Sequence, residues 1–236
     1  MQKLLQYLLP HHCPLCTLTS EQGICEACRV DYFPSNRVRC LQCGIPLSSR
    51  IDIRCGTCLK EPPHFDRTLV SCDYIPPVDS LVLGLKFGRN LRFAKLIAKQ
   101  LEPIVIQHFT ETSTLPNIFC PVPLSRQRLV GRGFNQSLEI AKNLKLPLNN
   151  TLTSNLVWRL KDTLQQSSLH PDDRSHNVRG AFFANPEFRE TIDGKHLVVV
   201  DDVITTGTTL NEIARVLKQA GAISVSNLVF ARTIWH

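Results

Sequence analysis

Asp201 and Asp202 are followed closely by a hydroxyl-rich turn, Thr205, Thr206, Gly207, Thr208 and Thr209. Carboxylates accept hydrogen bonds from vicinal sugar hydroxyls, as acidic residues do at the ribose of bound dinucleotides. Threonine hydroxyls and the unpaired amides of a helix start suit a phosphate, and a glycine lets the backbone approach it. The two acids repel a phosphate, so the combination implies a ligand with hydroxyls at one end and phosphate at the other: a ribose 5-phosphate. Neither Gly-x-x-x-x-Gly-Lys-Ser/Thr nor Gly-x-Gly-x-x-Gly occurs in the chain, which sets aside a Walker loop and a dinucleotide fingerprint. A plain strand-to-helix turn with one Thr cap would leave both acids and the other threonines without a task.

The flanking residues predict what positions this turn. Leu197 to Val200 read as a strand buried on both faces, ending at the acids. Leu210, Ile213, Ala214 and Leu217 recur at helical spacing and predict a helix over about 209–220, with Gly221 at its C′ position. Ser224 to Phe230 follow as a second strand. Strand, turn, helix and strand make a parallel βαβ unit, whose crevice opens at the carboxyl ends of the strands.

The first sixty residues carry a second chemistry. Cys13/Cys16, Cys25/Cys28, Cys40/Cys43 and Cys55/Cys58 are four Cys-x-x-Cys pairs. Two residues between thiolates let both sulfurs face one tetrahedral ion, so four knuckles supply two structural Zn²⁺ sites. A disulfide framework would need an oxidising compartment, and residues 1–12 do not read as a signal peptide. Consecutive knuckles would give two zinc ribbons and alternate knuckles a cross-braced unit; the short loops between neighbours favour consecutive pairing. His11 and His12 are read as bystanders, and Cys72 and Cys120 as buried core residues.

Two further segments could face the acids. Ile118 to Val122 read as a strand, followed by a turn and a basic loop with Arg126, Arg128 and Arg132, whose guanidinium groups suit pyrophosphate oxygens. Phe134, Leu138 and Ala141 mark the next helix. The polar stretch between Trp158 and Phe182 is too long for an ordinary connection and is a candidate lid. A solvated loop in the first case and a mobile surface loop in the second are the competing readings. Upstream, Val70 to Tyr74 read as a strand and about 91–101 as a helix, with a loop at 110–117. Phe87, Phe93 and Phe134 lie beside basic residues, where aromatic rings could stack on bases, and are read as core.

Composition divides the chain into a Cys-rich module, 1–63, and an α/β domain, 64–236, joined at Pro62-Pro63-His64-Phe65-Asp66. The net charge of +7 suits an anionic ligand and would also suit nucleic acid. No run approaches the length of a membrane span, and the expectation is a cytoplasmic protein.

Residues 198–209 resemble the phosphoribosyl-pyrophosphate (PRPP) signature of the type I phosphoribosyltransferases. The whole chain resembles the ComF/GntX family of phosphoribosyltransferase-like competence proteins. The matching strings are the knuckles, 62–66, Leu85-Lys86-Phe87, Pro121-Val122-Pro123-Leu124, Arg132-Gly133-Phe134-Asn135-Gln136, Lys161-Asp162-Thr163 with Gln166, Asn177-Val178-Arg179-Gly180-Ala181-Phe182, and the acid pair. The resemblance implies an α/β fold, a type I phosphoribosyltransferase-like parallel sheet with helices on both faces, preceded by a double zinc ribbon. It implies Mg²⁺ with PRPP, the ribose on Asp201 and Asp202, and the 5-phosphate on Thr205 to Thr209. Pyrophosphate would lie near Arg126, Arg128, Arg132 or the lid residues Lys161, Gln166, Arg174 and Arg179. It further implies a role in natural transformation, with single-stranded DNA and other competence proteins as partners. Leu164-Gln165 depart from the prolines expected in the lid. The alternatives are a non-catalytic PRPP or nucleotide sensor that binds single-stranded DNA, and a zinc-dependent protein adaptor.

Overall fold

Leu197 to Val200 lie at the centre of a parallel sheet, as an uninterrupted apolar run requires. The computed structural model describes residues 12–21, 23–34, 36–48, 53–112, 118–145, 150–160 and 178–234. In chain order the elements are α1 (Glu26–Tyr32), α2 (Gly56–Lys60), β1 (Arg67–Asp73), α3 (Asp79–Lys86), α4 (Arg92–Thr112), β2 (Ile118–Pro121), α5 (Arg126–Arg132), α6 (Gln136–Lys142), β3 (Thr151–Leu152), β4 (Val157–Arg159), β5 (Phe182–Ala184), α7 (Arg189–Ile192), β6 (His196–Ile204), α8 (Thr208–Gln219) and β7 (Ser224–Arg232).

Five strands form an all-parallel sheet in the order β1-β7-β6-β2-β3, and β4 and β5 form a separate antiparallel hairpin. Successive residues of β6 feed opposite cores. Val198 and Val200 pack with Leu228 and Phe230 under α3, α4 and α6, while Leu197 and Val199 pack with Val225 and Val229 under α8 and the hairpin. The fold is therefore α/β with helices on both faces of the sheet. From β2 the chain turns one way to β3 and the other way to β6, so the strand order reverses between β2 and β6, the place where such sheets open a crevice. Cys72 and Cys120 are buried core residues, as expected.

Several boundaries differ from the sequence reading. β6 continues four residues past Val200, so the acids lie within the strand. It pairs with β7 as far as Ile204, whereas its pairing with β2 stops at Val200, and the polar residues are held on one side only. α4 runs to Thr112 through Pro103, beyond the end of its apolar pattern, and residues 110–112 of the expected loop belong to it. Residues 113–117 of that loop lie outside the described residues. The basic loop after β2 is a helix, α5, capped by the Ser125 hydroxyl and ended at Gly133. Amphipathic periodicity could not reveal it, because α5 buries none of its residues.

The Cys-rich module packs onto this sheet. Cys13, Ile24 and Cys28 belong to the core under α3 and α4, and the Phe33 ring lies 6.0 Å from that of Phe230. The second pair of knuckles covers the outer edge of β1. Thr68 donates its amide to the Leu41 carbonyl (3.0 Å) and its hydroxyl to the Gln42 carbonyl (2.6 Å). Gly44 allows this approach: its φ is 74°, and a Cβ there would collide with Val70. An edge strand otherwise exposes a row of unpaired amides and carbonyls. Residues 62–66 are tied to the other face, with Asp66 accepting from Lys218 (2.7 Å) and from the Val225 amide (2.8 Å).

Asp73, at the end of β1, is buried and paired with Arg37 and Arg39 of the second knuckle pair. Arg39 is the more buried of the two, and burial draws its guanidinium below its usual range while the Asp73 charge works against that. Arg39→Ala should therefore cost about 3 kcal/mol, because it strands a buried carboxylate. Arg37→Ala, at a more exposed partner, should cost about 1 kcal/mol or less. Urea denaturation of the two variants measures the difference, and equal losses would contradict this account.

Candidate active site and zinc centres

A cleft of about 710 Å³ opens at the carboxyl ends of β1, β7, β6 and β2. Asp201 and Asp202 form its acidic floor, and each is held by a residue from the start of α6. The Ser137 hydroxyl donates to Asp201 Oδ1 (2.8 Å), and Gln136 Nε2 donates to Asp202 Oδ1 (3.2 Å). α6 starts there because Asn135 caps it, accepting from the amides of Ser137 and Leu138. Lys86, the last residue of α3, forms an ion pair with Asp202 Oδ2. Burial pushes the Asp201 carboxyl up to about 7 and the Asp202 charge adds to the shift, while Lys86, the Ser137 hydroxyl and the Asp202 amide oppose it.

Basic residues from four places surround these acids: Lys86 on α3, Arg89 in the loop after it, Arg128 and Arg132 on α5, and Arg159 on β4. The Arg159 guanidinium sits 5.3 Å from the Phe182 ring centroid. Arg132 bonds Gln136 and lies 5.9 Å from the Phe87 centroid. Phe87, expected in the core, is instead exposed at the mouth of the cleft, one residue past the end of α3. Phe93 and Phe134 do pack against the core.

The hydroxyl-rich turn leads from β6 into α8. Gly207 occupies the N-cap with φ 84°, a left-handed conformation that disfavours any side chain. Thr205 and Thr209 line the cleft, while the Thr206 and Thr208 hydroxyls bond one another at 2.8 Å. Asp201, Asp202, Thr205, Thr209, Arg128 and Arg132 are thus brought to one cavity. Arg126 and Arg179 are exposed and do not line it, and Arg179 lies near Glu212 of α8. Lys161, Gln166 and Arg174 lie outside the described residues. The sequence assigns no role to Lys86, Arg89 or Arg159; Lys86 is marked by the matching string Leu85-Lys86-Phe87, and Arg159 only by its place at the end of an apolar run.

The eight knuckle cysteines form two groups, Cys13, Cys16, Cys25 and Cys28, then Cys40, Cys43, Cys55 and Cys58, so consecutive knuckles pair. Within each group all sulfurs lie within 4.8 Å of one another, and Cys16–Cys25 and Cys43–Cys55 are 3.6 Å apart. A tetrahedral ion with Zn–S near 2.3 Å needs sulfurs about 3.8 Å apart, so both groups fit zinc. Burial alone would raise the Cys13 thiol, but the amides of Cys25, Leu15 and Cys16 outweigh it and bring it to about 6. The amides of Cys43, Cys55 and Gln42 do the same for Cys40, to about 7.

Comparison with known proteins matches both halves. The double zinc ribbon domain matches residues 4–59, and the phosphoribosyl transferase domain matches residues 140–233. DNA utilization protein YhgH of Escherichia coli K12 is 33% identical over 231 residues, covering 96% of this chain and 99% of that one. Competence protein F of Haemophilus influenzae is 32% identical over 224 residues, covering 94% and 95%. The chain belongs to the ComF/GntX family. Competence protein ComFC of Bacillus subtilis aligns over 117 residues at 32% identity, covering 49% of this chain and 45% of that one. Family membership thus agrees with the double zinc ribbon and with the phosphoribosyltransferase-like sheet. Among the described residues, no helix is long and apolar enough to cross a membrane.

Asp201 gives the acid pair a pH signature. An aspartate in an unfolded chain titrates near about 3.9, whereas in the fold Asp201 keeps its proton up to about 7. Between those values the unfolded chain has lost a proton that the native state retains, so stability falls as pH rises across the window. Asp201→Asn should flatten this part of the profile, read as the urea midpoint from about pH 4 to about pH 8. An unchanged slope would place the titration elsewhere.

Proposed function

We propose that the cleft binds Mg-PRPP, with the ribose hydroxyls on Asp201 and Asp202 and the 5-phosphate on Thr205 to Thr209. The observation that carries this reading is the pair of buried carboxylates inside a ring of five basic side chains, beside a helix start entered through a left-handed glycine. A purely anionic ligand would have no use for the acids, and a neutral sugar none for the cations. Pyrophosphate falls to Lys86, Arg89, Arg128, Arg132 and Arg159, with Arg126, Arg179 and the lid residues Lys161, Gln166 and Arg174 as further candidates. The adjacent carboxylates suit Mg²⁺ arriving with the ligand, and the ion would neutralise pyrophosphate charge. The cationic wall favours departure of pyrophosphate from C1 of the ribose, which leaves C1 open to an acceptor. Lys86 occupies Asp202 before ligand arrives, so ribose binding exchanges an ion pair for hydroxyl donors and frees the ammonium for pyrophosphate.

The names of the relatives, DNA utilization protein and competence protein F, support placing this chemistry in the uptake and use of DNA. Handling of single-stranded DNA is the accompanying proposal. The exposed Phe87, with the Arg132 guanidinium over its ring and Arg89 nearby, favours it, because bases stack on aromatic faces and phosphates meet guanidinium groups. The proposed division of labour assigns zinc binding to residues 1–63 and PRPP binding to residues 64–236.

Calorimetric titration of the zinc-loaded protein with Mg-PRPP tests the first reading. The Asp201→Asn/Asp202→Asn variant should lose about a hundredfold or more in affinity, from two charge-assisted contacts. A folded wild type with two zinc ions that releases no binding heat and protects no residue would overturn the PRPP assignment. For DNA, affinity for a single strand should fall steeply with salt and drop further in Phe87→Ala. A wild type that fails to shift the strand even at low salt would remove that role.

A further inference from the structure

Arg132 is the last residue of α5 and Gln136 the first of α6. Gly133, with φ 85°, turns the chain between the two helices, and the Arg132 guanidinium meets the Gln136 carboxamide there. Nη1 of Arg132 donates to Gln136 Oε1, and Gln136 Nε2 donates to Asp202 Oδ1 (3.2 Å). The neighbours decide which way this amide points, because arginine offers donors only and a carboxylate accepts. Its backbone is fixed as well. Asn135, which caps α6, donates Nδ2 to the Val122 carbonyl (2.9 Å) just past β2, and Gln136 is only 5% exposed.

The contacts close into a ring. The Arg132 guanidinium lies 5.9 Å from the Phe87 ring centroid, and Lys86, the neighbour of Phe87, pairs with Asp202 Oδ2. Among the described residues, Asp202 thus has one oxygen on a neutral amide and the other on an ammonium. The two partners differ in how readily a sugar displaces them. The Lys86 side chain ends α3 and is 23% exposed, whereas Gln136 is buried and its far end is held by Arg132. A sugar hydroxyl that takes Oδ2 from Lys86 leaves Gln136 as the contact that keeps the carboxylate from turning. A glutamine suits that task, because it donates to the carboxylate without adding a charge; a glutamate would turn a second acceptor toward it.

We propose that Gln136 is a positioning residue that holds Asp202 for the ribose and ties it to Arg132 on the pyrophosphate wall, so that one hydrogen-bonded unit spans both ends of the ligand. The inference rests on the reading of the cleft as a Mg-PRPP site. Arg132 then has two tasks: Nη1 orients the amide, and the remaining guanidinium donors meet anion oxygens. Removing either residue leaves Asp202 oriented by Lys86 alone, the contact that the sugar displaces. The effects of Arg132 and Gln136 on sugar binding are consequently those of one network and do not add.

The test uses the zinc-loaded full chain with Gln136→Ala, Gln136→Glu, Arg132→Ala and the double variant Arg132→Ala/Gln136→Ala, each confirmed folded by its urea midpoint. By calorimetry at about 0.15 M salt, which screens long-range charge, ribose 5-phosphate should bind Gln136→Ala about tenfold more weakly. Arg132→Ala should lose a similar factor, and the double variant about tenfold, where independent residues would lose about a hundredfold. Gln136→Glu, which fills the same space, should bind no better than Gln136→Ala. Without ligand, the Gln136 side-chain amide protons, assigned in heteronuclear NMR spectra by their disappearance in Gln136→Ala, should move toward exposed-amide positions in Arg132→Ala. Additive losses, wild-type affinity in Gln136→Glu, or amide signals that Arg132→Ala leaves unmoved would each overturn the proposal. Wild type that binds no ribose 5-phosphate while Arg132→Ala still moves those signals would overturn the ribose reading of the cleft and the sugar role of Gln136 with it; unmoved signals in a wild type that binds the sugar would overturn the link to Arg132 alone.

Discussion

Two carboxylates side by side at the end of a buried strand are the constraint around which this molecule is arranged. Desolvation and mutual repulsion both disfavour their charge, as the upward shift of Asp201 records. The fold answers with one polar group from the start of α6 for each acid and with the Lys86 ammonium from α3. Both helices must therefore end or begin at the carboxyl edge of the sheet. The same edge collects the arginines of α5 and β4, so the cleft is acidic at its floor and basic on its walls. A pair of charges left inadequately compensated by the protein is well placed to be completed by a ligand.

The cysteine-rich module is an integral part of that arrangement. The first group adds Cys13, Ile24 and Cys28 to the core beneath α3 and α4, the helices of which α3 ends in Lys86. The second group covers the edge of β1 and brings Arg37 and Arg39 to Asp73. Short elements of this kind would be marginal alone, and zinc held by the two cysteine groups would supply the local stability that a short chain cannot bury enough surface to obtain.

Family membership and geometry address different questions. YhgH and competence protein F align over nearly the whole chain at about one-third identity, which accounts for the shared architecture. The arrangement of Lys86 and Arg159 around the acids comes from the tertiary structure of this chain. These residues are what the proposed ligand site has beyond an ordinary strand-to-helix turn.

Features with a short-range cause were legible in the amino-acid sequence. Cys-x-x-Cys spacing determines which sulfurs can meet one ion, the apolar run before Asp201 determines a strand buried on both faces, and helical periodicity over 209–220 determines α8, found at Thr208–Gln219. Features that depend on pairing between distant segments were not. β6 outlasts its apolar run because β7 pairs with it to Ile204, and α5 shows no periodicity because it buries nothing. Lys86 and Gln136 stand far from the acids along the chain, and only the strand order β1-β7-β6-β2-β3 places them together. Local spacing thus determined the chemistry on offer. Which charges neutralise one another was decided by tertiary structure, because burial and Coulomb energy depend on distance in space and not on separation along the chain.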